Sequence, residues 1–227
     1  MASEAGPAIR WDTSDRAAHL QRVRQREGEI LGPEGRARID ARARAVLVPA
    51  NADRMRLVNE AIGAPSRANA IVWLHRAADR LSQAVAREVA CRRGCDACCH
   101  QDVVVTQAEA ELIGRAIGQR PAAAPAGAVS VGRDLNEPPP MPARHTGQPC
   151  PFLEAGECGI FRNRPLVCRL NANFDEDALL CQIVPGESIS VPYVDTSIEK
   201  AVYHGKVAAG GLVADIRDWF PSEIGEQ

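Results

Sequence analysis

The stretch Cys91-Arg92-Arg93-Gly94-Cys95-Asp96-Ala97-Cys98-Cys99-His100 places four of the chain's eight cysteines within nine residues. The other four, Cys150, Cys158, Cys168 and Cys181, lie downstream, and the first ninety residues contain none. Thiols this dense are either held by metal or tied into disulfides. Cys95-x2-Cys98 puts two thiolates on one tight turn, close enough for one ion, as in zinc knuckles and iron–sulfur sites. Gly94 suits a turn whose N–H groups point at sulfur. Adjacent Cys98 and Cys99 suit a single ion poorly, because consecutive side chains diverge. They suit a polynuclear cluster, or two separate centres, better.

Compartment bears on the choice between metal and disulfide. The N-terminal Met-Ala-Ser-Glu-Ala-Gly-Pro lacks the apolar run of a secretory signal. No stretch reaches the roughly 18 apolar residues of a spanning helix. The expectation is a cytoplasmic protein, not bound to membrane. In the cytoplasm thiols are kept reduced and cysteine clusters more often bind metal. The net charge of −2, from 27 Lys and Arg against 29 Asp and Glu, argues against nucleic acid as a partner. Nearly all bases are Arg, with only Lys200 and Lys206 as lysine. Together with abundant Ala and Gly, this reads as the coding bias of a GC-rich bacterial genome rather than phosphate binding. Acid collects in 171–227, at Asp175, Glu176, Asp177, Glu187, Asp195, Glu199, Asp215, Asp218, Glu223 and Glu226. That pattern reads as a solvated acidic face, with a docking surface as the alternative.

Upstream of the cysteines the pattern is helical. Residues 14–31 predict a helix capped by Ser14, with Leu20, Val23, Ile30 and Leu31 as its apolar stripe. A second spans about 34–48, with Ile39, Val46 and Leu47 inward, and Pro49 ends it. A short third begins at Asn51. The strongest runs from Ser66 to Ala90, with Ile71, Leu74, Ala78, Leu81, Val85 and Val89 on one face, and delivers the chain to Cys91. Downstream, Val103-Val104-Val105 favours an extended segment. Thr106-Gln-Ala-Glu109 is a capping box for a helix to about Ile117, stopped by Gly118. Residues 119–149, with Pro138-Pro139-Pro140, form a Pro/Ala/Gly loop. From Cys150 to Cys181, Pro and Gly allow only short elements. Thr196-Ser-Ile-Glu199 is a second capping box, Gly210-Gly211 a break, and Leu212–Phe220 a last helical turn or two.

The cysteine pattern resembles a known family. Cys91-x3-Cys95-x2-Cys98-Cys99, then Cys150-Pro-Phe-Leu, then Cys158-Gly-Ile-Phe-Arg-Asn-Arg-Pro-Leu-Val-Cys168-Arg169, is similar to the YkgJ-type cysteine-cluster family, the CxxCxxCC zinc- or iron-chelating domain. The resemblance covers roughly 88–185 and all eight cysteines. It implies an iron–sulfur protein or possible oxidoreductase. Flagellin lysine N-methylases contain a similar cysteine region, but they are longer chains and no matching methyl-donor site occurs here. Cys91-x3-Cys95-x2-Cys98 is also the spacing of radical SAM enzymes. Here, however, a helical pattern precedes it, Ala97 stands where an aromatic is expected, Cys99 follows at once, and no βα repeats appear.

Taken together, the expected fold is mainly α: an N-terminal helical bundle packed on an irregular, metal-pinned cysteine-rich domain with few short strands. The expected divisions are 1–66, a helical region; 67–185, the cysteine-cluster domain with loop 119–149 inside it; and 186–227, a helical tail. All eight cysteines are candidate ligands, and the two cysteine regions are expected to meet, with Cys168 beside Cys95 and Cys98. Arg162, Arg164 and Arg169 are candidates to offset the charge of a thiolate cluster; the alternative is pairing with Glu154 or Glu157. His100 and His145 could ligate but are read as solvent-facing. His19, His75 and His204 receive no role. The cofactor is read as an iron–sulfur cluster, 4Fe–4S, with zinc as the alternative. A protein redox partner is the expected partner. Neither a substrate nor a catalytic residue is legible.

Overall fold

The computed structural model describes residues 15–134 and 145–221. Ser14, Pro138–Pro140, Glu223 and Glu226 lie outside the described residues. Helix α1 (Arg16–Leu31) is capped by Asp15, whose carboxylate accepts the Ala18 N–H at 2.9 Å. Pro33 opens α2 (Pro33–Gly63), a position where a missing N–H breaks no helical bond.

The expected break at Pro49 does not occur, and α2 runs through it. An interior proline costs about 3 kcal/mol, because it withholds one N–H and crowds the preceding turn. Burial on both sides offsets that. Ile39, Ala43, Val46 and Leu47 pack on the main core before Pro49, and Leu57, Val58 and Ala61 are buried after it. Each fully buried Leu or Val contributes about 1.5–3 kcal/mol.

Helix α3 (Arg67–Val85) begins where expected, with Ser66 Oγ accepting the Asn69 N–H at 3.2 Å. Its face of Ala70, Ile71, Leu74, Ala78, Leu81 and Val85 is the spine of the main core. The helix stops at Val85, short of the expected Ala90. The first thiol is therefore not fixed by a helix end. The Ala90 N–H instead donates to the Asn173 carbonyl at 2.8 Å.

The rest of the chain forms a second layer of short elements. Strand β1 (Val104–Thr106) leads into α4 (Gln107–Ile117), which ends at Gly118 with φ of 74°. Strand β2 (Val129–Ser130) follows, then the hairpin of β3 (Leu153–Glu154) and β4 (Glu157–Cys158). Then come α5 (Leu166–Leu170), α6 (Ser197–Val202) with a π-helical turn over Tyr203–Ala208, β5 (Leu212–Asp215) and α7 (Ile216–Trp219).

The first part of the expected terminal helical segment, Leu212–Asp215, is a strand, and the helical turn forms only at Ile216–Trp219. β5 is central in an antiparallel sheet of order β1-β5-β2, with Val105 opposite Ala214 and Val129 opposite Val213. Its pairing partners lie some eighty to over one hundred residues away, so no local pattern announces it. Val103, Val105, Ile113, Phe152, Ala214, Trp219 and Phe220 form a second core beneath it. Phe152 and Phe220 meet edge to face at 5.2 Å.

The acidic stretch is not one solvated face. Asp175, Glu199 and Asp215 are at most 4% exposed. Arginines take them up: Arg26 lies against Asp175 and Asp177, and Arg54 Nη2 donates to Glu199 Oε2 at 2.6 Å. Both arginines come from the N-terminal helices. The second capping box is therefore not formed. Glu199 is diverted to Arg54, and Asp195 Oδ1, not Thr196, accepts the Ser197 N–H at 2.9 Å. The fold is mainly α, as expected. Among the described residues, no helix is long and apolar enough to cross a membrane.

Candidate metal centre

The two cysteine regions meet through their backbones. Gly94, with φ of 83°, turns the chain after Cys91, and the Cys95 N–H donates to the Arg92 carbonyl at 3.0 Å. A 3-10 turn over Ala97–His100 then presents Cys98 and Cys99. The Cys150 N–H donates to the Cys99 carbonyl at 2.8 Å, and the Gly147 N–H donates to the His100 carbonyl at 2.7 Å.

Arg217 locks this junction. Its guanidinium donates to the carbonyls of Cys99 (2.9 Å), Gln101 (3.2 Å), Gln148 (2.7 Å) and Pro149 (3.1 Å). Asp215 Oδ1 holds it at 2.9 Å, while Asp215 Oδ2 accepts the Val103 N–H at 2.6 Å. On the surface, Arg93 forks onto Glu157 at 2.7 and 2.9 Å, tying the first loop to the β3–β4 hairpin.

The hairpin turn at Ala155 and Gly156, both with positive φ, sets Cys158 across from Leu153. Cys168 rides on α5, whose first N–H, from Leu166, donates to Glu109 Oε1 at 2.7 Å. Glu109 is fully buried. Its Oε1 also faces His75 Nε2 at 2.7 Å, and its Oε2 accepts the Tyr203 hydroxyl at 2.6 Å. Only half of the first capping box therefore forms. Thr106 Oγ1 accepts the Glu109 N–H at 3.3 Å, while the Thr106 N–H donates to the Tyr203 hydroxyl instead. His75, given no role from sequence, is a member of this network.

All eight cysteines are free thiols. Burial is the leading reason that Cys91, Cys95, Cys150, Cys158, Cys168 and Cys181 resist ionisation, with Cys181 pushed up to about 12. Cys98 moves the other way, to about 7, because the Cys99 thiol donates to its sulfur. The same bond holds the Cys99 proton in place.

Arg164 is half-buried among the thiols. Its charge favours the thiolate forms of Cys91, Cys98 and Cys158. Its guanidinium lies 3.9 Å over the Phe161 ring, and its buried Nε has no hydrogen-bond partner. Arg169 is turned elsewhere: it donates to the Arg164 and Arg162 carbonyls and to Asp79 at 2.6 Å. Arg162 is exposed. Glu157 pairs with Arg93 rather than with any of these three. His100 Nδ1 lies 3.2 Å from the Asp96 carbonyl, and His145 sits between Gln148 and Asp218.

Asn173 and Arg217 are site-building residues that spacing rules did not single out, and Glu109 was read only as part of a capping box. Arg217 carried one faint signal, as the sole cation in 207–221. Asn173 carried none.

Residues 90–183 match the family model CxxCxxCC, described as a putative zinc- or iron-chelating domain. The CxxCxxCC match spans all eight thiols, Arg164 and Asn173, and leaves out α1, α2 and the β5–α7 corner that supplies Arg217. No curated protein and no solved structure matches the chain.

The donors are gathered rather than closed: among the described residues, no three His, Cys, Asp or Glu side chains stand ready to hold an ion. The donor chemistry nonetheless fits a metal–thiolate group. Thiols from both regions act on one another electrostatically, Cys98 and Cys150 on Cys168, and the Arg164 Nε is buried without a hydrogen-bond partner.

Proposed function

We propose that the chain is a metal–thiolate protein, carrying an iron–sulfur cluster of the 4Fe–4S type and serving electron transfer or a redox reaction. The observation that carries this reading is the backbone bond from the Cys150 N–H to the Cys99 carbonyl at 2.8 Å, which joins two distant segments whose cysteines are all free thiols. Cys91, Cys95, Cys98, Cys99, Cys150, Cys158, Cys168 and Cys181 are the candidates from which the group would draw its ligands. Eight thiols exceed the four ligands of one tetrahedral zinc, and equally the four of one 4Fe–4S cluster, so they suffice for more than one centre. A bound cluster would supply one-electron chemistry. The chain's own part is to gather the sulfurs, shield them and offset their charge. Arg164 has that role: its unpartnered Nε is a donor for anionic sulfur. A cytoplasmic setting would keep the thiols reduced, and a protein redox partner would deliver or accept the electron.

A second reading, zinc held for structure or for protein interaction, draws on the brevity of the elements between Cys150 and Cys181. A segment with so little regular structure gains most from a metal that ties it down. Elemental analysis, acid-labile sulfide and a visible spectrum on anaerobically purified chain separate the two. Iron with acid-labile sulfide and broad visible absorption supports the cluster. Zinc alone supports the second reading. A folded chain with neither metal and all thiols reduced overturns both.

A further inference from the structure

Asn173 is fully buried, and its backbone and side-chain N–H groups both meet sulfur. Its backbone N–H donates to Cys91 Sγ at 3.5 Å, and its side-chain Nδ2 donates to Cys181 Sγ at 3.3 Å. Those two cysteines stand ninety positions apart. The orientation of the amide is fixed by chemistry. Oδ1 accepts the Asp175 N–H at 2.8 Å, and Nδ2 also donates to the Asp177 carbonyl at 3.1 Å, so Nδ2 is the atom facing sulfur.

The backbone around it is braced. The Phe174 N–H donates to the Pro192 carbonyl at 2.9 Å, and the Val194 N–H to the Ala172 carbonyl at 3.0 Å. Two amide donors are thus held rigidly against two sulfurs. An N–H donor can only stabilise sulfur as an acceptor, which favours the thiolate over the thiol. If Asn173 served only to turn the loop, its bonds to Asp175 and Asp177 would suffice.

We propose that Asn173 assigns Cys91 and Cys181 to one metal centre and tunes their sulfurs by N–H···S donation. This rests on the metal–thiolate reading above. Cys95 lies on the same tight loop as Cys91, its N–H donating to the Arg92 carbonyl at 3.0 Å. Cys150, Cys158 and Cys168 instead line the second core.

The test is a cobalt(II) titration, with zinc competition, of the reduced, metal-free full-length chain. Cys91→Ser and Cys181→Ser should weaken the same cobalt site and remove thiolate charge-transfer intensity. The double variant should lose no more ions than either single one. Cys158→Ser should leave the spectrum of that site in place. Asn173→Asp keeps the acceptor for Asp175 and loses the donor, so its affinity should fall 10–100-fold. Its charge-transfer band should also shift in energy, which a purely structural role would not cause. Should Asn173→Asp not fold, the cysteine comparison decides alone. The proposal is overturned if Cys91→Ser and Cys181→Ser remove different ions, or if a folded Asn173→Asp leaves affinity and band unchanged. A wild-type chain that takes up neither cobalt nor zinc would overturn this proposal together with the metal–thiolate reading.

Discussion

Single residues set the geometry of the thiol pocket from outside the cysteine pattern. Arg217 is 8% exposed, paired with buried Asp215, and satisfies four carbonyls on the two segments it joins. Arg217→Ala strands the Asp215 charge and should cost about 3–5 kcal/mol in urea denaturation of the metal-free chain. Arg217→Lys should recover only part, since an ammonium cannot reproduce the planar fork. Cys181 makes a pH prediction. Its pKa, raised to about 12 mainly by burial, exceeds the ordinary value of 9.0. The folded state therefore holds the proton more tightly, and this stabilisation is complete below pH 9. It should be lost as pH rises from 9 towards 12, at about 1.4 kcal/mol per pH unit. Denaturation of reduced, metal-free chain across that window checks it, and Cys181→Ser should flatten the slope. At this scale the cysteines were legible because ligand spacing is a local property of sequence. Arg217, Asn173 and Glu109 were not, because their roles exist only once residues over fifty positions away are brought alongside.

Elements were legible where one face carries a period. The apolar repeat of α3 and the cap at Thr106 could be read directly. The run of α2 through Pro49 could not, because the burial that offsets the proline is tertiary. Pro49→Ala should therefore stabilise the chain, by about 1–3 kcal/mol, measured by thermal unfolding. If Pro49 marked a true break between two helices, the substitution would have little effect. Strand β5 escaped for the same reason: Leu212–Asp215 is too short to declare itself and is fixed by partners on both sides. Glu109 joins elements too, linking α3 through His75, α5 through the Leu166 N–H and the C-terminal segment through Tyr203. Glu109→Ala leaves those buried groups unpaired, at about 1–3 kcal/mol each. It should lower stability before metal is added and should loosen Cys168 with α5. A drop in metal content with no loss of apo stability would contradict that reading.

At the scale of the whole molecule, helices α1 to α3 supply a core and a set of arginines. The later chain supplies thiols, carboxylates and a sheet. The acidic composition of 171–227 was legible, but not its purpose, which is partly to meet Arg26 and Arg54 from the N-terminal helices. The meeting of the two cysteine regions could be argued in advance, because closing a long loop costs entropy that grows only slowly with length. The central claim, that one metal-binding pocket draws on thiols from both regions, is tested most directly by alkylating the anaerobic native chain. The modified cysteines are then located by mass spectrometry, alongside metal analysis. The account expects stoichiometric metal, with Cys95, Cys98 and at least one of Cys150, Cys158, Cys168 and Cys181 protected together and released together by chelator. Metal-free folded chain with all eight thiols modified, or protection confined to Cys91–Cys99, would contradict it.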